Sequence, residues 1–201
     1  MIDTGALATG FAAQLPDWVL PFVASYAGPT ATSTDRMALV HALADRNHVA
    51  GNGGPFAAVV ADPGTGEIVS VGVNVVLSSG LSSAHAEVTA ISLAQAALGG
   101  WDLTALRPGL ELVVNWRPCA MCFGAFLWSG IQRLVIAGDG PELEELTGFD
   151  EGPVVPDWED QLRRRGIEVE RDVLREGAIA TYTAYGQSRA TVYNARRGAG
   201  D

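Results

Sequence analysis

The chain has 201 residues, 48% of them hydrophobic, and a formal net charge of −10. Those values exclude a disordered chain and fit one domain with a sizeable core. The acid excess argues against a polyanion partner, because counterion release needs clustered basic residues. The local exceptions, Arg163-Arg164-Arg165 and Arg196-Arg197, read as solvated helix ends.

The N-terminus, MIDTGALATGFAAQLPDW, has no basic stretch of the kind that opens a secretion signal. The apolar runs FAAVVA and LVIA are too short to span a bilayer. A soluble cytoplasmic protein without membrane or nucleic-acid partners is expected. Residues 1–32 are rich in Ala, Gly and Pro and predict an irregular N-terminal arm packed by Trp18 and Phe22; residues 33–201 predict a single domain. Thr34 is the expected cap of a helix over 35–49, with Met37, Leu39, Val40 and Leu43 apolar. Asn52-Gly53-Gly54-Pro55 ends it. Residues 56–61 and 67–77 predict a hairpin around the turn Asp62-Pro63-Gly64-Thr65-Gly66. A loop of small residues over 78–83 leads to a helix over 84–98, ended by Gly99-Gly100. Residues 111–115 predict a strand, and 119–129 a helix opened by Pro118 and closed by Gly130. A strand over 133–137, a short helix over 142–146 and the loop GFDEGPVVP follow. A helix over 158–165, a strand over 167–173 and a helix from 175 to about 193 complete the chain. Strands alternating with helices imply an α/β fold, a three-layer α/β/α sandwich around one mixed five-stranded sheet.

The chain has two cysteines, Cys119 and Cys122, too few for a disulfide framework. At this spacing they read as metal ligands, a redox pair or buried packing. Residues i and i+3 share a helical face, and the free N–H groups of a helix start favour thiolate. Ala84-His85-Ala86-Glu87 opens another helix. Each motif alone is weak. Together, in this order, they match the His-x-Glu…Pro-Cys-x-x-Cys pattern of zinc deaminases. His85, Cys119 and Cys122 would supply three ligands and leave a fourth position open, as catalytic zinc requires. Two thiolates neutralise Zn²⁺, so a nearby base such as Glu87 would help to deprotonate a bound water. His41 and His48, the other histidines, read as surface or packing residues on the first helix.

From about Asp35 onward the sequence resembles the cytidine deaminase-like superfamily, and more closely its bacterial guanine deaminases. The resemblance is carried by GGPFAAVV, AHAEVTAISLAQA, MCFGAFLWSG and GFDEGP, and by the closing YNARRG. The last two segments point to the guanine and ammeline deaminase subgroup. The resemblance implies a cytidine deaminase-like fold, one Zn²⁺ per chain and hydrolytic deamination of a free nucleobase. The favoured reaction is guanine to xanthine plus ammonia. Cytosine, an s-triazine such as ammeline, or a modified nucleoside are alternative substrates, and tRNA adenosine a more distant one. It implies a role for Glu87 in moving protons from the water to the base and the departing amine. Glu151 would be a second carboxylate serving the leaving amine. Asn74 and Ala84 would contact the base, and Phe56 and Trp128 would pack on its faces. A homodimer, with C-terminal segments near the partner's site, is also implied.

One residue departs from the family pattern, which commonly has Glu or Ser directly before Pro-Cys. Here it is Arg117, preceded by Asn115 and Trp116. Three readings stand open. Arg117 turns away and pairs with one of the many acids; its charge steadies the two thiolates; or, with Trp116, it reshapes substrate selection.

Overall fold

The computed structural model describes residues 4–194. Residues 1–3 of the N-terminal arm and the Arg196-Arg197 pair lie outside the described residues.

The arm is less irregular than its composition suggests: Val19–Ser25 forms a helix, α1. Arg46 lies over the rings of both Trp18 and Phe22, at 5.0 and 5.2 Å from their centroids, and so packs the arm against the next helix. That helix, α2, runs over Ser33–Val49. Its cap is Thr32 rather than Thr34. Thr32 Oγ1 accepts from Asp35 N at 3.1 Å and Asp35 Oδ2 from Thr32 N at 2.9 Å, a capping box set by the Thr-x-x-Asp spacing.

Strand β1 (Ala57–Ala61) and strand β2 (Ile68–Val73) form the expected hairpin. The second strand stops earlier than its apolar run, because Val76–Ser79 coils into a short helix, α3. Next come α4 (Ala86–Leu98) and α5 (Leu103–Leu106). The latter has no apolar period to announce it; Asp102 caps it by accepting from Thr104 N and Ala105 N. The rest is β3 (Glu111–Val114), α6 (Ala120–Ser129), β4 (Arg133–Ile136), α7 (Glu142–Thr147), α8 (Trp158–Arg163), β5 (Glu168–Glu170) and α9 (Arg175–Gln187).

The sheet has the order β2-β1-β3-β4-β5. β1 is antiparallel to both its neighbours, whereas β3, β4 and β5 are parallel, so the sheet is mixed. Side chains alternate across it. Val59, Val113 and Val135 face one core with Met37, Leu43 and Tyr182; Val60, Leu112 and Leu134 face another with Ala90, Phe126 and Leu162. Helices α2 and α9 therefore cover one face, and α4, α6 and α8 the other. The three-layer sandwich expected from the order of elements is present. Continuous apolar strands such as AAVVA follow from burial on both faces.

At the start of β3, Glu111 is fully buried and its Oε1 lies 2.5 Å from Arg36 Nε. Arg36 also donates to the carbonyls of Thr30 and Ala31. This pair ties α2 to the sheet at the end remote from the cysteines. The carboxyl end of β3 leads instead into Asn115–Cys119, the side of the sheet where open α/β folds place ligands.

Candidate active site

Both metal-ligand motifs sit at helix starts. His85 is the N-cap of α4, with φ −70° and ψ 161°, and Cys119 is the N-cap of α6, with φ −63° and ψ 171°. Pro118 therefore stands one residue before the cap, not in the first turn of the helix. The Cys119 sulfur accepts from Cys122 N and so folds back over its own helix terminus; His85 makes no such bond, and its ring meets Cys119 where the two termini adjoin. α4 reaches that point because it lies hard against β2 at Gly72. A Cβ there would come within 2.2 Å of the Ala86 carbonyl oxygen and 2.5 Å of Ala90 N.

His85 Nδ1 lies 3.6 Å from the sulfur of Cys119 and 3.6 Å from that of Cys122. Two ligands at ordinary Zn–S and Zn–N lengths on a tetrahedron stand about 3.6 Å apart. All three donor atoms lie within 4.8 Å of one another, the sole such group among the described residues. Geometry and donor chemistry thus fit Zn²⁺, held by one imidazole and two sulfurs.

The charges suit a metal as well. The Cys119 thiol is pulled down to about 4, chiefly because the Cys122 side chain donates to it, with His85 and the Cys122 N–H adding to the effect. Cys122 is pushed up for the same reason and by burial. Burial opposes protonation of His85, but Cys119 and Glu87 outweigh it and raise its pKa. Glu87, buried beside them, is raised by desolvation and by the negative Cys119.

A cavity of about 210 Å³ opens onto this corner. Pockets for drug-sized ligands begin at roughly 300 Å³, so this one suits a single small ring system. His85, Cys119, Glu87 and Glu151 line it, with Phe56, Trp116, Phe149 and Tyr193 supplying aromatic wall. Phe149 packs on Phe56 at 5.3 Å and on Tyr193 at 4.8 Å between centroids. Glu151 is anchored by its backbone: its N–H donates to Glu144 Oε1 and its carbonyl accepts from Ala120 N, each at 3.0 Å. The loop is thereby pinned to the first turn of α6. Burial, then the negative Cys119 and Glu87, push the Glu151 carboxyl up to about 8.

The family profile described as "Cytidine and deoxycytidylate deaminase zinc-binding region" matches residues 31–138, over half of the chain. The chain belongs to this family of zinc-binding deaminases. It is 34% identical to the guanine deaminase of Bacillus subtilis (strain 168) over 127 residues, 63% of this chain and 77% of that protein. A solved structure of guanine deaminase from Nitrosomonas europaea is 38% identical, with a TM-score of 0.82 over 90% of this chain and 99% of that one. Another solved structure, in complex with 2,6-diaminopurine, is 40% identical, with a TM-score of 0.81 over 90% and 95% of the two chains. The protein is thus a hydrolytic deaminase with the cytidine deaminase-like fold, and its cofactor is zinc.

In this deaminase, His85, Cys119, Cys122, Glu87, Phe56 and Glu151 come together around one corner. Cys122 is fully buried behind the cavity, which Cys119 lines. Asn74 and Ala84 are buried near the cavity rather than lining it. Asn74 Oδ1 accepts from Val76 N at 3.2 Å. Its Nδ2 finds no partner of good geometry, although the amide lies close to the Tyr193 hydroxyl, whose pKa burial raises. The Ala84 carbonyl accepts from Val75 N.

Trp128 is not part of this wall. It lies six residues past the inward Cys122, about 240° around the helix, and is 83% exposed. The wall comes instead from Trp116, Phe149 and Tyr193, drawn from three separate segments. Tyr193 was expected at the end of the last helix. Because α9 stops at Gln187, residues 188–194 return to the site, where the Tyr193 hydroxyl accepts from Gly54 N at 3.2 Å.

Arg117 does pair with an acid, Asp139, at 2.5 Å from Nε to Oδ1. It does not turn away, however: the side chain still lines the cavity, and its charge favours the ionised form of Glu151. His41 and His48 are packing residues that do not line the cavity. Burial lowers the pKa of both, and His48 packs edge-on against Tyr185.

Proposed function

We propose that this deaminase hydrolyses the exocyclic amine of guanine, giving xanthine and ammonia. The observation that carries this reading is a second carboxyl, Glu151, half-buried and lining the same small cavity as Glu87 and the His-Cys-Cys corner. The guanine deaminases of Bacillus subtilis and Nitrosomonas europaea, as relatives, support the choice of base.

His85, Cys119 and Cys122 would hold Zn²⁺, which would supply Lewis-acid activation of a water. Glu87, whose pKa is raised, accepts a proton and returns it to the ring nitrogen. Glu151 passes a proton to the departing amine. Phe56 packs against the base, while Asn74 and Ala84, buried near the cavity, back its wall rather than touch the base. The aromatic wall and the burial of Glu87 keep bulk water from the reacting atoms.

We further read residues 33–201 as one deaminase domain behind the arm of residues 1–32, acting in the cytoplasm in purine metabolism. Among the described residues no helix is long and apolar enough to cross a membrane. A homodimer fits the outer face of α6. There Met121 and Trp128 are exposed, and a Cβ on Gly124 would meet nothing within 4 Å, which leaves room for a second chain to approach.

The test is ammonia release by the purified protein from guanine, cytosine, ammeline, adenosine and tRNA. Guanine is expected to give the highest kcat/KM. Inert guanine with turnover of a triazine or pyrimidine overturns the substrate assignment; salt-dependent RNA binding with adenosine deamination replaces it by an RNA substrate.

A further inference from the structure

Asn115 lies at a place where the sheet comes apart. The β1–β3 ladder ends at the pair Ala58–Val114, and its next rung would join Ala57 to Asn115. After Val114 the chain instead follows β4: Ala137 N donates to the Val114 carbonyl at 3.3 Å and Arg117 N to the Gly138 carbonyl at 2.9 Å. That path carries the backbone toward Cys119 and opens a gap beside β1. The Asn115 side chain spans it. Its Oδ1 accepts from Ala57 N at 3.2 Å and its Nδ2 donates to the Pro55 carbonyl at 2.8 Å.

These two bonds bracket Phe56, the residue whose ring lines the cavity. The Asn115 carbonyl in turn accepts from the Tyr182 hydroxyl at 2.9 Å, and the Tyr182 ring packs on both Phe56 and Trp116, at 5.9 and 5.4 Å. Asn115 is fully buried and both its amide atoms are satisfied. One side chain thus connects the segment leading to Cys119 with the backbone on either side of Phe56. A shorter or apolar side chain leaves a buried N–H and a buried carbonyl without partners, which the loop relieves only by moving.

We propose that Asn115 is a positioning residue: it sets the separation between the Phe56 wall and the metal corner, and so the fit of the base. It touches neither substrate nor metal and acts through Phe56. The proposal rests on the reading of this cavity as the site for a base.

The test compares Asn115→Ser with wild type on whichever base of the panel the wild-type protein turns over. Zinc content and melting temperature are measured in parallel. The expected result is a KM raised about tenfold or more, with kcat per zinc within about threefold and one zinc per chain retained. Loss of folded protein alone lowers the apparent rate but leaves the KM of the folded fraction unchanged. A second arm adds Asn115→Ser to Phe56→Ala, where it should change KM by less than about twofold, because the residue it acts through is gone.

An unchanged KM in the single variant, or multiplying KM effects in the double variant, overturns the proposal. Should Asn115→Ser fail to fold, Asn115→Asp serves in both arms. It keeps the acceptor for Ala57 N and loses the donor to Pro55. Inert guanine in the wild-type assay overturns the substrate assignment alone, since the Asn115 ratio is read on any base that reacts.

Discussion

Glu87→Gln lowers kcat by about 10²–10⁴-fold, the range for loss of a positioned general acid–base, and leaves one zinc per chain. The substitution keeps the shape and the buried hydrogen-bonding capacity of the side chain and removes only its ability to exchange a proton. Glu87 suits that exchange because desolvation and the negative Cys119 raise its pKa. In the proposed mechanism it both accepts and returns a proton, so its loss impairs both halves of the reaction. Metal analysis and steady-state ammonia release on the same preparation check the expectation. Full activity at unchanged zinc content removes Glu87 from the mechanism; lost activity with lost zinc gives it a structural role instead.

Cys119→Ser, or exhaustive chelation of the wild-type protein, abolishes turnover and lowers the melting temperature. A ligand present at about 1,000 times its dissociation constant stabilises the folded state by about 4 kcal/mol. For a chain of this size that amounts to about 8–16 °C. The stabilisation arises because His85, Cys119 and Cys122 lie on two different helix starts that the metal joins. Adding Zn²⁺ back to the chelated protein restores both quantities, but not in Cys119→Ser. Differential scanning calorimetry with and without chelator is the measurement. An unchanged melting temperature together with unchanged turnover contradicts a zinc site at these residues.

The fold and the metal corner were legible because both are written locally. Buried strands read as apolar runs bounded by turns, and FAAVVA needed no knowledge of its neighbours. His85-x-Glu87 and Cys119-x-x-Cys122 are each contained within one helix start. What joins distant segments was less legible. The aromatic wall draws Phe56, Trp116, Phe149 and Tyr193 from four places in the sequence, and no spacing rule brings them together. Tyr193 was expected in a helix because no proline or Gly-Gly pair interrupts residues 175–193, whereas the chain leaves α9 at Gln187, just past Gly186, and turns back. Trp128 was misplaced because an aromatic residue in an apolar helix looks the same from either face; only the rotation fixed by Cys122 shows that it points outward.

Asn115 shows the same limit from the other direction. In the sequence it is one polar residue after an apolar strand. Its work depends on where β1 and β3 part, which is set by the parallel pairing of β3 with β4. Arg117 is a mixed case. Pairing with an acid was one of its expected readings, and Asp139 supplies the partner. That pairing leaves the side chain on the cavity wall, because Asp139 itself follows β4 at the same edge of the sheet.

In the proposed reaction an amine of guanine is replaced by an oxygen taken from water. The most direct measurement is the reaction of guanine with the purified zinc protein in ¹⁸O-water, read by mass spectrometry of the product and assay of ammonia. Xanthine carrying one ¹⁸O atom is expected, with one equivalent of ammonia for each xanthine formed. Guanine recovered unchanged, while the protein holds its zinc, contradicts it.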